Sequence, residues 1–223
     1  MREPQEGPCL SGWVGSRYRW LRCALALVLL GGVPLAGSGA EEPAPETAPS
    51  PGLFAPIDLS PHYVTKWDTI RPGTSWSAVP KGEQVIDGVP FQLGGLIEVS
   101  GMGALQDAKG FPTRVSGVVI GRKVGALHVV HGAGYAVPDG TPIGKLVLHY
   151  ANGEERSLPI QYGVHVRNWW VEKNENSSAL SDPDSGVAWT GMSAETDRYG
   201  VTLRLMHTRF ANPLPEETLQ TVD

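Results

Sequence analysis

Cysteine is nearly absent: the 223 residues hold two, Cys9 and Cys23, and both fall in the first forty. From residue 41 onward there is no thiol, which excludes a disulfide framework, a cysteine nucleophile and a thiolate zinc site. Basic charge is also scarce. Lys and Arg total 18 against 23 Asp and Glu, for a net charge of −5. Arg2, Arg17, Arg19 and Arg22 lie in the first forty residues with only Glu3 and Glu6, so the remainder is more acidic still. No Lys- or Arg-rich run follows. Nucleic acid is therefore disfavoured and not expected as a partner, because its phosphates need clustered cations. The one conspicuous apolar run, CALALVLLGGVPLA, has 14 residues, short of the about 20 that a bilayer-spanning helix needs. No G-x-S-x-G elbow is present, and no long helical period occurs after residue 57.

What is present begins with an export signal. Arg17, Arg19 and Arg22 precede the apolar run, and GSGA follows it with Ser38 and Ala40 placed as at a signal-peptidase site. Residues 1–40 are read as a signal peptide, with an uncleaved anchor as the alternative; Arg22 argues against lipid attachment at Cys23. Residues 41–56, EEPAPETAPSPGLFAP, read as a Pro-rich tether that stays extended. Residues 57–223 are read as one domain, secreted or held in the periplasm or at the cell surface. No membrane span is expected in it once the signal is removed.

Within residues 57–223 the pattern is short strands and tight turns. Asp87-Gly88 sits in VIDGVPFQLGGL, and Val124 to Val130 form an apolar run that contains His128. Asn152-Gly153 marks a hairpin between GKLVLHY and EERSLPIQY. In the returning strand Leu158, Ile160 and Tyr162 alternate with polar residues, which predicts one buried face, while Pro159 predicts an edge or a bulge. VRNWW and GVAWT read as strands. In YGVTLRLMH, Val201, Leu203 and Leu205 alternate with Thr202, Arg204 and Met206. The stretch 101–116 reads as a loop with one helical turn. Leu219 and Val222 in ETLQTVD are three apart and are not expected to share a strand face. Three readings stay open there: a short closing strand, a strand cut before its natural end, and a frayed tail. The fold class this predicts is all-β, an antiparallel β-sandwich.

The segments PKGEQVIDGVPFQLGGLIEVSG, TPIGKLVLHYANGEERSLPIQYGVHVRNWW, GVAWTG and YGVTLRLMHTRFANPLPEETLQTVD, taken in order over residues 57–223, resemble exported β-sandwich modules of planctomycete and verrucomicrobial surface proteins. The style is also similar to galactose-binding-like and NPCBM-type jelly rolls. The resemblance implies a jelly-roll-like sandwich in which DGVPF, the strand bearing His128, the Asn-Gly hairpin and Trp169-Trp170 are framework. It carries no agreed catalytic residues, and it implies carbohydrate contact. Its last strand usually runs on past a phrase like NPLPEETLQTVD, where this chain stops.

Each candidate site also has a plain structural role open to it. His128 and His131 are three apart, so in a regular strand they point to opposite faces and cannot chelate one metal, although a turn at Gly132 would change this. His149 and His165 could approach across a sheet, but no carboxylate stands at ligand spacing. No metal site and no cofactor are expected. Ser100 lacks identifiable triad partners. SDPDSG, with Asp182, Asp184 and Ser185, reads as a turn rather than a calcium loop. Asp87, Glu98, Asp107, Glu172, Asp182, Asp184 and Asp197 are the carboxylates open to paired acid–base work, and Asp87 reads first as a brace of its own turn. No catalytic residue is assigned. Aromatic residues are the stronger sign. Trp67, Trp76, Trp169, Trp170 and Trp189 follow the signal, and adjacent Trp169 and Trp170 should face opposite sides of a strand. Trp170, Trp67 and Trp76, with Asp87, are the ligand-binding candidates, since sugars pack their C–H faces on indoles. The expected function is a non-catalytic module that binds glycan or cell-envelope protein. The alternatives are a structural or assembly domain, and a glycoside hydrolase using paired carboxylates. Oligomeric state and ligand identity are left open.

Overall fold

The computed structural model describes residues 54–66, 69–101, 111–171 and 179–223. Residues 1–53, which hold the expected signal and most of the expected tether, and the candidates Trp67, Asp107 and Glu172 lie outside the described residues. The strands are β1 (Thr65–Lys66), β2 (Gly82–Ile86), β3 (Val89–Leu93), β4 (Gly95–Leu96), β5 (Val118–Arg122), β6 (Ala126–His131), β7 (Pro142–Tyr150), β8 (Glu155–Gln161), β9 (Trp170–Val171), β10 (Ser185–Gly191), β11 (Thr202–Ala211) and β12 (Leu219–Val222). One short helix, α1 (Ala194–Tyr199), precedes β11. Every pairing between these strands is antiparallel. The fold is therefore the all-β antiparallel sandwich that the spacing of strands and turns predicts.

Two four-stranded sheets face each other. One has the order β5-β12-β7-β8; the other has β10-β11-β6, with β9 also paired to β11. Between them Leu127, Val129, Met206 and Phe210 of the second sheet meet Leu148, Ile160, Leu219 and Val222 of the first. The other face of the second sheet is covered too. Val130 and Leu205 pack there against Ile86, Val89, Phe91 and Leu93 of the two-stranded hairpin β2–β3. The second sheet is thus the middle of three layers. That explains a difference from the sequence pattern: all six residues of β6 are buried, and Leu203 through Thr208 of β11 are buried without interruption. A strand covered on both faces has no solvent side for its polar residues, so Arg204, His128, His131, His207 and Thr208 are carried into the interior.

Local chemistry sets the turns. Asp87 and Gly88 both have positive φ, 50° and 72°, and Ile86 pairs with Val89, so this is a two-residue turn of the primed type that suits the strand twist. The Asn152-Gly153 hairpin forms, with a longer loop. Tyr150 N–H donates to the Glu154 carbonyl and Gly153 N–H to the Tyr150 carbonyl, and in that pair only Gly153 takes positive φ. Pro159 lies on β8, which is an edge strand and needs no outward donor there. VRNWW is mostly irregular: only Trp170 joins a strand, and Val166 makes an isolated bridge to Tyr162. Residues 111–117 form an extended loop, and 102–110 lie outside the described residues.

The C-terminal expectation needs correction. Leu219 and Val222 are both fully buried in the same core. The register shifts between Leu219 and Thr221 against both neighbours, and this bulge turns residues three apart onto one face. β12 is no frayed tail; it is inserted between β5 and β7.

Candidate functional site

Trp170, Trp76 and Tyr199 gather at the end of the middle sheet where β11 begins. β9 pairs with Thr202 and Leu203, and the chain's alternation there sends Trp169 inward, 5 % exposed, and leaves Trp170 half-buried. Trp169 N–H donates to the Ala133 carbonyl, and Arg204 N–H donates to the Trp169 carbonyl, so the backbone is held from both sides. Gly132 lets that backbone come close: a Cβ there would stand 2.8 Å from the Trp169 Cβ. Trp76, on the 3-10 turn Ser75–Ala78, lies flat on Trp169 with centroids 3.9 Å apart and planes 8° apart. Trp169 in turn meets Trp170 edge-on at 6.1 Å, and Trp170 meets Tyr199 at 6.2 Å with a 45° tilt.

The helix α1 presents Tyr199. Ser193 caps it in a reciprocal box, its Oγ accepting from Thr196 N–H while Thr196 Oγ1 accepts from Ser193 N–H, and Gly200 ends it in the left-handed conformation. Glu195 joins the helix to the turn that bears Trp76: one carboxylate oxygen accepts both Ser75 N–H, at 2.7 Å, and Ser75 Oγ–H, at 2.8 Å. The result is an aromatic row backed by a stack of buried Trp169 and half-buried Trp76. Tyr199 is 52 % exposed, Met192 is exposed shortly before the helix, and Asp197 and Arg198 are exposed on the same helix. Exposed rings set beside exposed charge can take a ligand with an apolar face and hydroxyl edges.

Asp87 is elsewhere, and its role differs from a simple brace of its own turn. Its carboxylate accepts from His207 Nδ1–H at 2.7 Å. His207 Nε2 faces His128 Nδ1 at 2.9 Å. These two rings are nearly parallel, 18° apart, and their centroid separation of 5.2 Å is the nitrogen–nitrogen distance plus the two ring radii. They are therefore joined end to end by a hydrogen bond rather than stacked face to face. Burial, and then the facing His207, push His128 down to about 4. Sequence reasoning missed His207: its partners lie 79 and 120 residues away, and only strand register brings them together.

His131 points to the opposite face, as its spacing from His128 requires. Its Nε2 is 2.9 Å from Thr208 Oγ1, and Thr208 donates to the His165 carbonyl. The ring is fully buried, its Nδ1 has no hydrogen-bond partner among the described residues, and burial pushes it down to about 3. His149 and His165 have separate partners, Glu155 for the first and Gln161 N–H for the second. Glu98 is buried and accepts from Thr65 Oγ1, and Ser100 is tied to the backbone of Phe111 and Pro112. Asp182 accepts from Ser185 Oγ–H and Asp184 pairs with Arg209, which makes SDPDSG a braced turn. Among the described residues no group of three or more His, Cys, Asp or Glu side chains is placed to hold a metal ion. Among them, too, no helix is long and apolar enough to cross a membrane.

Fold and surface together define a class: an all-β antiparallel sandwich with a third β layer and an aromatic row at one end. Set against protein-family models, curated proteins and solved structures, the chain matches none.

Proposed function

We propose that this is an exported, non-catalytic binding module whose Trp170–Tyr199 row takes a glycan of the cell envelope. One observation carries the reading: Tyr199, 52 % exposed, stands beside half-buried Trp170 on a base of stacked Trp169 and Trp76. A ring held from behind loses little freedom when a sugar face settles on it, so less of the contact energy is spent on ordering. The export-type pattern of residues 1–40 and the Pro-rich stretch after it support a role outside the cytoplasm. Asp87, occupied with His207, is left out of this ligand surface.

The test is a glycan array together with a pull-down from envelope fractions, using the full chain. Saturable glycan binding that falls at least tenfold in Trp170→Ala and in Tyr199→Ala, with unchanged thermal unfolding, supports the reading. Capture of an envelope protein with no glycan signal moves the ligand to protein. Failure to bind any fraction overturns the proposal and favours a structural domain.

A further inference from the structure

The Asp87–His207–His128 chain sits where the outer layer meets the middle sheet. Hairpin β2–β3 forms a two-stranded sheet of its own, so apolar packing and the polar contact at its tip hold it down. Asp87 is that tip. The two histidines are also roofed by rings from the outer layer: Phe91 of β3 lies edge-on to His207 at 5.6 Å, and Phe54, where the tether joins the domain, lies edge-on to His128 at 5.7 Å.

Hydrogen-bond direction follows from the carboxylate. Ionised Asp87 only accepts, so the proton of His207 sits on Nδ1 and its Nε2 keeps a lone pair. That lone pair accepts from His128 Nδ1–H. A first added proton is tolerated. One facing nitrogen still carries a hydrogen and the other a lone pair, so the 2.9 Å hydrogen bond survives. A second proton is not tolerated. Both facing nitrogens would then carry hydrogens across 2.9 Å, a hydrogen–hydrogen gap of about 0.9 Å, and two cations would adjoin. Arg209, which pairs with His128 across the strands, adds a third positive charge, only partly offset by Asp184 at 3.2 Å from it. The charged and titratable groups near the pair are thus Asp87 from the hairpin, Arg209 from β11, Asp184 from the loop before β10, and His131 of β6, which points to the other face but feels the charge of His207.

We infer that Asp87, His207 and His128 form an acid-released latch, which holds hairpin β2–β3 and the Phe54 segment on the middle sheet at neutral pH and frees them when both imidazoles become charged. The two strands that carry the histidines are paired along six residues and stay in place; the covering layer is what moves. Release uncovers the apolar face of Val130 and Leu205.

Hydrogen exchange on the full chain tests this, with rates corrected for the intrinsic pH effect. Between pH 7.5 and 4.5, amides of β2–β3 are expected to lose protection at least tenfold more than those of β7–β8. In His128→Phe, which keeps a ring but cannot take a proton, that selective loss disappears. If that variant does not fold, imidazole nitrogen shifts in the unaltered protein decide. The latch requires His207 protonated on Nδ1 alone at pH 7.5, and His128 on Nδ1. The opposite tautomers, or equal loss of protection in all strands, overturn it.

Discussion

The interior histidine His131 makes folding sensitive to acid in a way that can be worked out in advance. Its ring is fully buried, and burial lowers it from 6.5 to about 3. In the unfolded chain it takes up a proton below pH 6.5, and in the folded protein it stays neutral down to about pH 3. The unfolded state therefore binds more protons across that window, and stability falls as pH falls through it. The contribution is complete above about pH 6.5 and is lost progressively toward pH 3. At pH 5 the loss spans about 1.5 pH units at ~1.4 kcal/mol each, or roughly 2 kcal/mol from this residue alone. His128, lowered to about 4, and His165, lowered by burial, act in the same direction; both lie nearer solvent, where screening reduces their share. The assay is urea unfolding followed by tryptophan fluorescence from pH 7.5 to 5.0, on the unaltered protein and on His131→Gln. Glutamine keeps a polar group toward Thr208 and does not titrate. The variant is expected to start lower at pH 7.5 and to lose stability with a slope shallower by about one proton, ~1.4 kcal/mol per pH unit. Parallel curves below pH 6.5 would refute the reasoning, because they would mean that His131 is protonated equally in both states.

Gly132→Ala places a Cβ 2.8 Å from the Trp169 Cβ, so the backbone under the aromatic stack must shift. The expected cost is about 1–3 kcal/mol, read as a lower midpoint in thermal unfolding. Ser193→Ala removes the cap of α1, and with it one half of the reciprocal box. It should cost about 1 kcal/mol in urea unfolding and weaken ligand binding through Tyr199 without any contact being removed.

Much of the architecture can be read from local pattern. The alternation of Leu158, Ile160 and Tyr162, the Asn152-Gly153 and Asp87-Gly88 turns, and Pro159 on an edge strand are all short-range consequences of backbone preference and side-chain period. That Trp169 and Trp170 differ in burial follows from their adjacency, but which of them enters the interior does not. β5 escaped notice because Gly117 and Gly121, both at positive φ, break up a run whose Val118 and Ile120 are core residues. The bulge in β12 was invisible for a related reason: a one-residue slip reverses the face of everything after it, and nothing in LQTV announces where the extra residue goes.

By itself, then, the sequence determined the class of fold, the absence of thiols after residue 40, the acidic character and the opposite facing of His128 and His131. Those properties depend on composition or on neighbours a few residues apart. The tertiary structure alone decided that the middle sheet is covered on both faces, that Asp87 meets His207 and His128, and that Tyr199 joins Trp170. Each of these depends on strand register and layer packing between segments dozens of residues apart, where many pairings satisfy the same local pattern and only the simultaneous burial of the whole core selects one.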